Sequence, residues 1–270
     1  MRILFIGDIV GETGRKAVIN NVDGLKDKYK LDFIIANGEN SASGFGITEK
    51  IFGSLVDCGV DVVTTGNHIW DQKEALVFIE RDNRLLRPAN YPKGTPGRGA
   101  FVFNTVDHKS ILVVNLMGRV FMNSLDDPFS VIDEILDETR LGRDVDGIIV
   151  DFHAEATSEK QAIGHYLDGR VSMVIGTHTH VPTSDYRILK NGTGYISDVG
   201  MTGDYDSVLG FKKTNPINKF LTSISSGRFV PETGEATLSG ILMELNEHGM
   251  VKKLAQIKVG GILDAEYPSF

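Results

Sequence analysis

Five segments of this chain place metal-binding side chains at the ends of predicted strands. They read Gly7-Asp8-Ile9-Val10-Gly11, Gly38-Glu39-Asn40, Gly66-Asn67-His68, Asp151-Phe152-His153 and Gly176-Thr177-His178-Thr179-His180. Ligands of open α/β sheets bind beyond the carboxyl ends of the strands, so we expect these side chains on one edge of one sheet. Four of the segments contain a glycine, which lets the backbone turn sharply beside a bound group. One such residue alone is usually turn chemistry, but their coincidence predicts a functional centre.

The donor types favour a centre with two metal ions. Two carboxylates, two asparagines and three histidines supply oxygen and nitrogen ligands: Asp8, Glu39, Asn40, Asn67, His153, His178 and His180. The set is too large for one tetrahedral zinc and too rich in nitrogen for magnesium or calcium alone. Two ions need a bridging carboxylate, for which Glu39 is the natural candidate, and together they generate hydroxide for displacement at phosphorus. On an extended segment His178 and His180 would point the same way and serve one centre.

The elements that must position these segments follow a repeating order of strand, loop and helix. Apolar runs predict strands over 2–7, 32–37, 60–65, 146–152 and 171–176, with late strands over 184–189, 193–197, 236–246 and 250–259. Helical spacing covers 12–30, 72–79, 131–140 and 158–168, and Thr48 is expected to cap a helix that ends near Val56. An antiparallel pair is predicted over 99–106 and 110–116. The sum is one α/β domain over 1–270, a sandwich of two mixed β-sheets flanked by helices.

Composition and charge limit the partners of the chain. Its 270 residues include 28 basic and 36 acidic side chains, which gives a net charge of −8. This balance argues against the broad basic face that nonspecific nucleic-acid binding needs, so short stretches such as Lys212/Lys213 are interpreted as solvated. The apolar runs are shorter than a membrane span, and the N-terminus does not resemble a signal peptide. We therefore expect a cytoplasmic protein without a membrane partner.

Other sequence motifs give no competing function. The single cysteine, Cys58, excludes an internal disulfide and a cysteine-based zinc site, and it lies in a helical pattern as an expected core residue. Gly7, Gly11 and Gly14 lack the spacing of a dinucleotide fingerprint, and the Asp8 carboxylate would repel a pyrophosphate. The sequence also contains no phosphate loop, no nucleophile elbow and no H-E-x-x-H motif.

The order of the strand-end motifs resembles that of the calcineurin-like metallophosphoesterase family. The match spans residues 8–180, from the first aspartate to the final Gly-x-His-x-His. Two positions depart from the usual pattern: Val10 stands in place of a histidine, and Gly38-Glu39-Asn40 stands in place of Gly-Asp. This variation, with the stretches 87–92 and 116–122, resembles the YmdB-like branch, whose members are associated with hydrolysis of 2′,3′-cyclic nucleotides. The resemblance implies a metallophosphoesterase-like fold.

The resemblance also implies how the ligands divide between two metal ions. One ion would take Asp8, Glu39, Asn40 and His180, and the other would take Glu39, Asn67, His153 and His178. The amide of Asn40 would replace the nitrogen ligand that is missing at Val10. Iron or manganese is favoured, in divalent or mixed-valence form, and zinc is the alternative.

His68 follows a ligand without being needed as one. This suits a general acid that protonates the leaving oxygen while metal-bound hydroxide attacks phosphorus. The alternative is a residue that only orients a ligand. Three roles stay open: Asp71 as a holder of His68, Phe45 as a base-stacking or a packing ring, and Arg119 as a phosphate contact or a surface salt bridge.

These residues lead to a functional expectation with two alternatives. We expect a dimetal phosphodiesterase whose partner is a small phosphodiester, such as a 2′,3′-cyclic nucleotide. The alternatives are a phosphomonoesterase on the same centre and a non-catalytic regulator that keeps the metals only to hold a partner. Retention of His68 argues against the regulator, because a structural centre has no use for a proton donor. A homo-oligomer is left open.

Overall fold

The computed structural model describes residues 1–224 and 227–270. Its strands, in chain order, are β1 (Arg2–Ile6), β2 (Asp8–Ile9), β3 (Phe33–Asn37), β4 (Val62–Thr64), β5 (Leu85–Leu86), β6 (Ala100–Asn104), β7 (Ser110–Met117), β8 (Gly147–His153), β9 (Met173–Thr177), β10 (Arg187–Ile188), β11 (Gly194–Ile196), β12 (Met201–Thr202), β13 (Leu238–Leu245) and β14 (Val251–Val259). Its helices are α1 (Gly11–Tyr29), α2 (Glu49–Asp57), α3 (Ala75–Phe78), α4 (Pro128–Glu138), α5 (Thr157–Tyr166) and α6 (Thr214–Thr222). No helix in this part of the chain has the length and apolarity needed to cross a membrane.

Two six-stranded sheets form the body of the fold. The first has the order β14-β13-β1-β3-β4-β5, and the second has the order β10-β11-β9-β8-β7-β6. In the first sheet β1, β3, β4 and β5 are parallel, while β13 and β14 run antiparallel to their neighbours. In the second, β7, β8, β9 and β11 are parallel, while β6 and β10 are antiparallel. The predicted α/β sandwich of two mixed sheets is confirmed.

Side-chain alternation along the strands explains the layers. Ile3 on β1 belongs to a central core that also contains Ile111 on β7, so this core joins the two sheets. Its neighbour Leu4 belongs to an outer core with Val18 of α1. Ile163 of α5 packs in the corresponding outer core of the second sheet. The central strands of both sheets are thus buried on both faces, which agrees with their continuous apolar runs, whereas the edge strands β6, β10 and β14 are partly exposed.

The local predictions differ from the structure at helix ends and at elements that the sequence pattern does not predict, such as α6. Thr48 caps α2 as predicted, since its hydroxyl accepts from the Ile51 amide at 3.2 Å. The helix predicted over 72–79 is only four residues long. Cys58 was expected inside a helix, but it follows the last residue of α2 and is half-buried, because the chain turns at Gly59 with a φ of 105°.

The predicted ligands come from both sheets. Asp8, Glu39 and Asn67 follow strands of the first sheet, whereas His153 ends β8 and His178 follows β9 in the second. The expectation of one edge of one sheet is therefore wrong, because β6 and β7 begin a second sheet instead of extending the first. The parallel strands of the two sheets end beside each other, and the ligands meet between them.

Candidate metal centre

The structure brings the predicted ligands into two groups that share one carboxylate. Glu39, His153 and His178 place ligand atoms within 4.8 Å of one another. Asp8, Glu39 and His180 do the same. Glu39 is the member common to both groups, which is the arrangement expected of a bridging ligand. These five side chains are grouped as the family resemblance implies, and their binding of metal ions stays a prediction.

In the first group, three side chains converge on one ring nitrogen of His153. Its Nε2 atom lies 2.9 Å from Oε1 of Glu39, 3.0 Å from Oδ1 of Asn67 and 3.0 Å from Nδ1 of His178. His153 and Glu39 are fully or almost fully buried. The side-chain oxygen of Asn67 faces this group, as expected for a residue that directly follows a strand end.

Asp151 and Thr177 fix the orientation of His153. The Thr177 hydroxyl donates to Oδ1 of buried Asp151 at 2.7 Å, so it accepts from Nδ1–H of His153 at 2.9 Å. This leaves Nε2 of His153 unprotonated in the neutral ring, with its lone pair toward Glu39. A partner on the far nitrogen of a histidine is the usual way in which proteins fix a metal ligand. The strand-end motif contained Asp151, but the sequence did not show this role.

In the second group, backbone carbonyls orient the side chains. The Asn40 amide nitrogen donates to the Gly44 carbonyl at 3.0 Å, which turns its Oδ1 toward Nε2 of His180, 3.2 Å away. Nδ1–H of His180 donates to the Leu209 carbonyl at 3.0 Å. Among the described residues, Oδ1 of Asp8 is buried without a hydrogen-bond partner. A buried carboxylate oxygen without a donor is costly unless a cation pairs with it, so the donor set fits a metal ion.

The segment from His178 to His180 is not extended as predicted. His178 has a φ of 96° and His180 a φ of 65°, so the backbone is left-handed at both residues. Each histidine consequently joins a different group. Between them, the amide and hydroxyl of Thr179 donate to Oδ2 of Asp198 at 3.0 and 2.8 Å. Asp198 is in turn paired with Lys160, and both are buried.

Burial and mutual proximity set the charges of these side chains. Burial raises the pKa of Asp8 well above its usual range. Burial also opposes ionisation of Glu39, but the adjacent His153 lowers its pKa to about 2. Burial opposes protonation of His153, but Glu39 raises its pKa to about 9, so a metal ion that binds Nε2 would displace a proton from that atom. Burial, with help from His153, lowers the pKa of His178 to about 3, so this ring is neutral at pH 7 and free to act as a ligand.

Gly66 permits the close approach of the two sheets. A Cβ atom at this position would overlap both the His153 ring and the Glu39 carboxylate. Only glycine leaves this space open, which gives the Gly66-Asn67-His68 motif a steric reason.

His68 lies beside the centre and contacts Asp71. Its Nδ1 atom is 2.8 Å from Oδ2 of Asp71, which confirms that Asp71 holds the ring. Its backbone amide donates to Oε2 of Glu39 at 3.3 Å. Pairing at Nδ1 leaves Nε2 as the ring nitrogen for a substrate. The edge of the ring also packs against Phe45, with centroids 5.1 Å apart.

A cavity of about 320 Å³ adjoins the centre. Its polar lining consists of Glu39, Asn40, His68, Glu155, His178, Thr179, His180 and Lys219. Its apolar lining consists of Val208, Leu209, Phe211, Pro216, Phe220 and Phe229. The apolar part comes from α6 and the loops around it, a region where the sequence pattern predicts no helix or strand.

The open roles divide as follows. Phe45 stacks on Phe211 with centroids 5.3 Å apart, so packing is the role that the structure supports. Arg119 forms a surface salt bridge with Asp127 at 3.0 Å and does not line the cavity. Glu155 was missed as a neighbour of the centre, although its Oε2 lies 3.3 Å from Nε2 of His178. Its place two residues after His153 was the only available signal.

Comparison with known proteins identifies the family. The family model described as YmdB-like protein matches residues 4–257. The chain belongs to the YmdB-like family. It is 50% identical over 258 residues to a Bacillus subtilis relative named 2′,3′-cyclic-nucleotide 2′-phosphodiesterase. The match covers 96% of each chain. The resemblance read from the motifs is thereby confirmed.

Two solved structures extend the similarity of this YmdB-like chain to the whole fold. A Thermus thermophilus protein superimposes with a TM-score of 0.90 at 42% identity, covering 97% of this chain and 100% of the other. A Mycoplasma pneumoniae protein, described as a novel phosphatase, superimposes with a TM-score of 0.89 at 36% identity, covering 96% and 93%. The metallophosphoesterase-like fold is common to all of them.

Proposed function

We propose that this chain is a dimetal phosphodiesterase that hydrolyses 2′,3′-cyclic nucleotides. The observation that carries the proposal is the position of Glu39 in both donor groups, beside a cavity that also contains His68. The name of the Bacillus relative at 50% identity supports the same substrate class. The net charge of −8 leaves a small anionic ester as a better partner than a long nucleic acid.

The proposed ligands follow the two groups. Asp8, Asn40 and His180 would hold one ion, Asn67, His153 and His178 would hold the other, and Glu39 would contact both. Divalent ions bound there supply Lewis acidity, which polarises phosphoryl oxygens and lowers the pKa of an attacking water. We also propose iron or manganese, with zinc as the alternative. Mixed histidine and carboxylate sites accept all three, so availability decides among them. Elemental analysis of protein purified without added metal tests this choice.

His68 is the proposed proton donor. Asp71 holds Nδ1, so Nε2 can carry the proton that the departing ribose oxygen needs. In a cyclic ester the leaving oxygen stays attached to the sugar, so the donor must remain beside the ring throughout. In this proposal the chain supplies His68 as an oriented proton donor in addition to the side chains that hold the metal ions.

Turnover of adenosine 2′,3′-cyclic phosphate by the as-purified protein tests the function. We expect His68→Asn to lower kcat by about 100-fold or more, the usual contribution of a general acid, while metal content stays that of the wild type. His165→Asn, on the exposed side of α5, is the matched control and should retain full activity. Glu39→Gln should lose metal and activity together. Full activity of His68→Asn would remove the acid role, and absence of turnover by metal-loaded wild type would remove the function.

A phosphomonoesterase is the second candidate. A monoester dianion needs more positive charge than a diester, and Lys219 is among the residues that line the same cavity. Rates on nucleoside 2′-phosphates and 2′,3′-cyclic phosphates, measured side by side, separate the two. If Lys219→Met lowers only the monoester rate, the second candidate gains support.

We further propose that residues 1–270 act as a single cytoplasmic domain. The central core contains residues of both sheets, which supports one cooperative unit. A single calorimetric transition is expected, and two separated transitions would contradict it. Localisation of a tagged chain in fractionated cells tests the compartment.

A further inference from the structure

We propose that Phe220 of α6 stacks on the nucleobase of the substrate and makes the enzyme selective for nucleotides over other cyclic phosphodiesters. This inference rests on the proposed function and adds the part of the substrate that the metal centre does not contact. One cavity is lined both by the proposed ligands and by Phe220, so a single molecule can reach both. In a 2′,3′-cyclic nucleotide only the ribose ring separates the phosphate from the base.

The exposure of Phe220 is the first argument. Its side chain is 85% exposed although it lines the cavity. Three other rings near this wall are already occupied: Phe211 contacts Phe45 at 5.3 Å and Phe229 at 5.7 Å between centroids. Among the described residues, no other aromatic ring stacks on Phe220. A large apolar ring left open to water beside a binding cavity is a typical platform for a planar ligand.

The local charge is the second argument. Residues 207–231 contain four basic side chains and no acidic one. Of these, Lys219 lines the cavity, whereas Lys213 is paired with Asp206, just outside this stretch. The whole chain, by contrast, carries a net charge of −8. Aromatic rings interspersed with basic side chains are the combination that holds nucleotides, because stacking accepts the base while positive charge accepts the phosphate.

The adjacent residue Leu221 serves as a control that distinguishes base binding by α6 from contact between subunits. Leu221 is 76% exposed on the same helix but does not line the cavity. If this face of α6 bound a second copy of the chain, both residues would contribute. If Phe220 binds the base, Leu221 is dispensable for the reaction.

Two substrates with the same reacting ring test the proposal. They are adenosine 2′,3′-cyclic phosphate and the methyl ribofuranoside 2′,3′-cyclic phosphate, which lacks the base. For Phe220→Ala we expect KM to rise about tenfold on the adenosine substrate, the effect of one lost stacking contact, with kcat nearly unchanged. On the base-free substrate KM should stay within about twofold. Phe220→Trp should restore the low KM, and Leu221→Ala should behave like the wild type on both substrates.

The outcomes distinguish the two proposals. If the wild type hydrolyses both substrates but Phe220→Ala leaves both KM values unchanged, the base platform is wrong and the phosphodiesterase stands. The platform is also wrong if Phe220→Ala and Leu221→Ala weaken activity together and shift the sedimentation coefficient, because α6 is then a subunit contact. If the wild type hydrolyses neither substrate, the proposed function fails and the platform fails with it.

Discussion

Replacing Lys160 with methionine tests how the fold supports the segment that carries His178 and His180. Nζ of Lys160 lies 2.8 Å from Oδ2 of Asp198, and the two side chains are only 2% and 1% exposed. Methionine keeps most of the stem but removes the positive charge. Loss of one partner of a buried ion pair costs about 3–5 kcal/mol, because the other charge is left uncompensated. Asp198 keeps three donors from Thr179 and Gly200, so we expect about 3 kcal/mol, the lower end of that range.

Thermal unfolding of the metal-free protein measures this cost. An unfolding entropy of about 2.1 cal/mol/K per residue gives about 0.57 kcal/mol/K for this chain, so Tm should fall by about 5 °C. Lys16→Met is the matched control: Lys16 also lies 2.8 Å from its partner, Glu12, but is 66% exposed, and its loss should change Tm by less than about 1 °C. Adding Asp198→Asn to Lys160→Met should restore part of the stability, since no buried charge then lacks a counter-charge. Equal Tm values for Lys160→Met and Lys16→Met would refute the reasoning.

Three further predictions concern the centre and its surroundings. Thr177→Val removes the acceptor for Nδ1 of His153, so metal affinity should fall by about 10–100-fold in a metal titration, and unchanged affinity would contradict the orienting role. Gly66→Ala should abolish metal binding by displacing Glu39 while circular dichroism stays native-like, and a fully loaded variant would contradict the steric argument. Burial opposes ionisation of Asp185, but hydrogen bonds from Ser197 lower its pKa below 3.8. Its carboxylate therefore stabilises the fold above pH 3.8 and ceases to do so as pH falls through the lower folded-state pKa, so Asp185→Asn should cost about 1 kcal/mol at pH 7. That difference should vanish in acid unfolding curves, and persistence at low pH would contradict it.

The sequence predicted most of the strands and the side chains that meet between the two sheets. The central strands of this fold are buried on both faces, so their apolar runs stand out, and the candidate metal-binding side chains follow them directly. Periodicity could not show that β6 and β7 begin a second sheet, because an antiparallel pair looks the same in either sheet. The two-sheet origin of the centre therefore became visible only in three dimensions.

The sequence could not predict the residues that position the candidate ligands, for a different reason. The Thr177 hydroxyl and the Asp151 carboxylate matter to His153 only because β8 and β9 are adjacent, and sequence distance does not reveal that pairing. Likewise Lys160 on α5 reaches Asp198 across 38 positions of the chain. The left-handed backbone at His178 and His180 also contradicts local preference, since non-glycine residues rarely adopt it without tertiary support.

The origin of the ligands in two sheets links metal supply to the lifetime of the protein. A donor group that combines Glu39 from the first sheet with His153 from the second exists only while the sheets are docked. An ion held there binds the native state and not the unfolded chain, so mass action adds about 2.7 kcal/mol of stability at a free concentration a hundredfold above Kd. Protein made under metal starvation would open more often and be degraded faster by proteases. Its abundance in the cell would then follow metal availability before any change in synthesis.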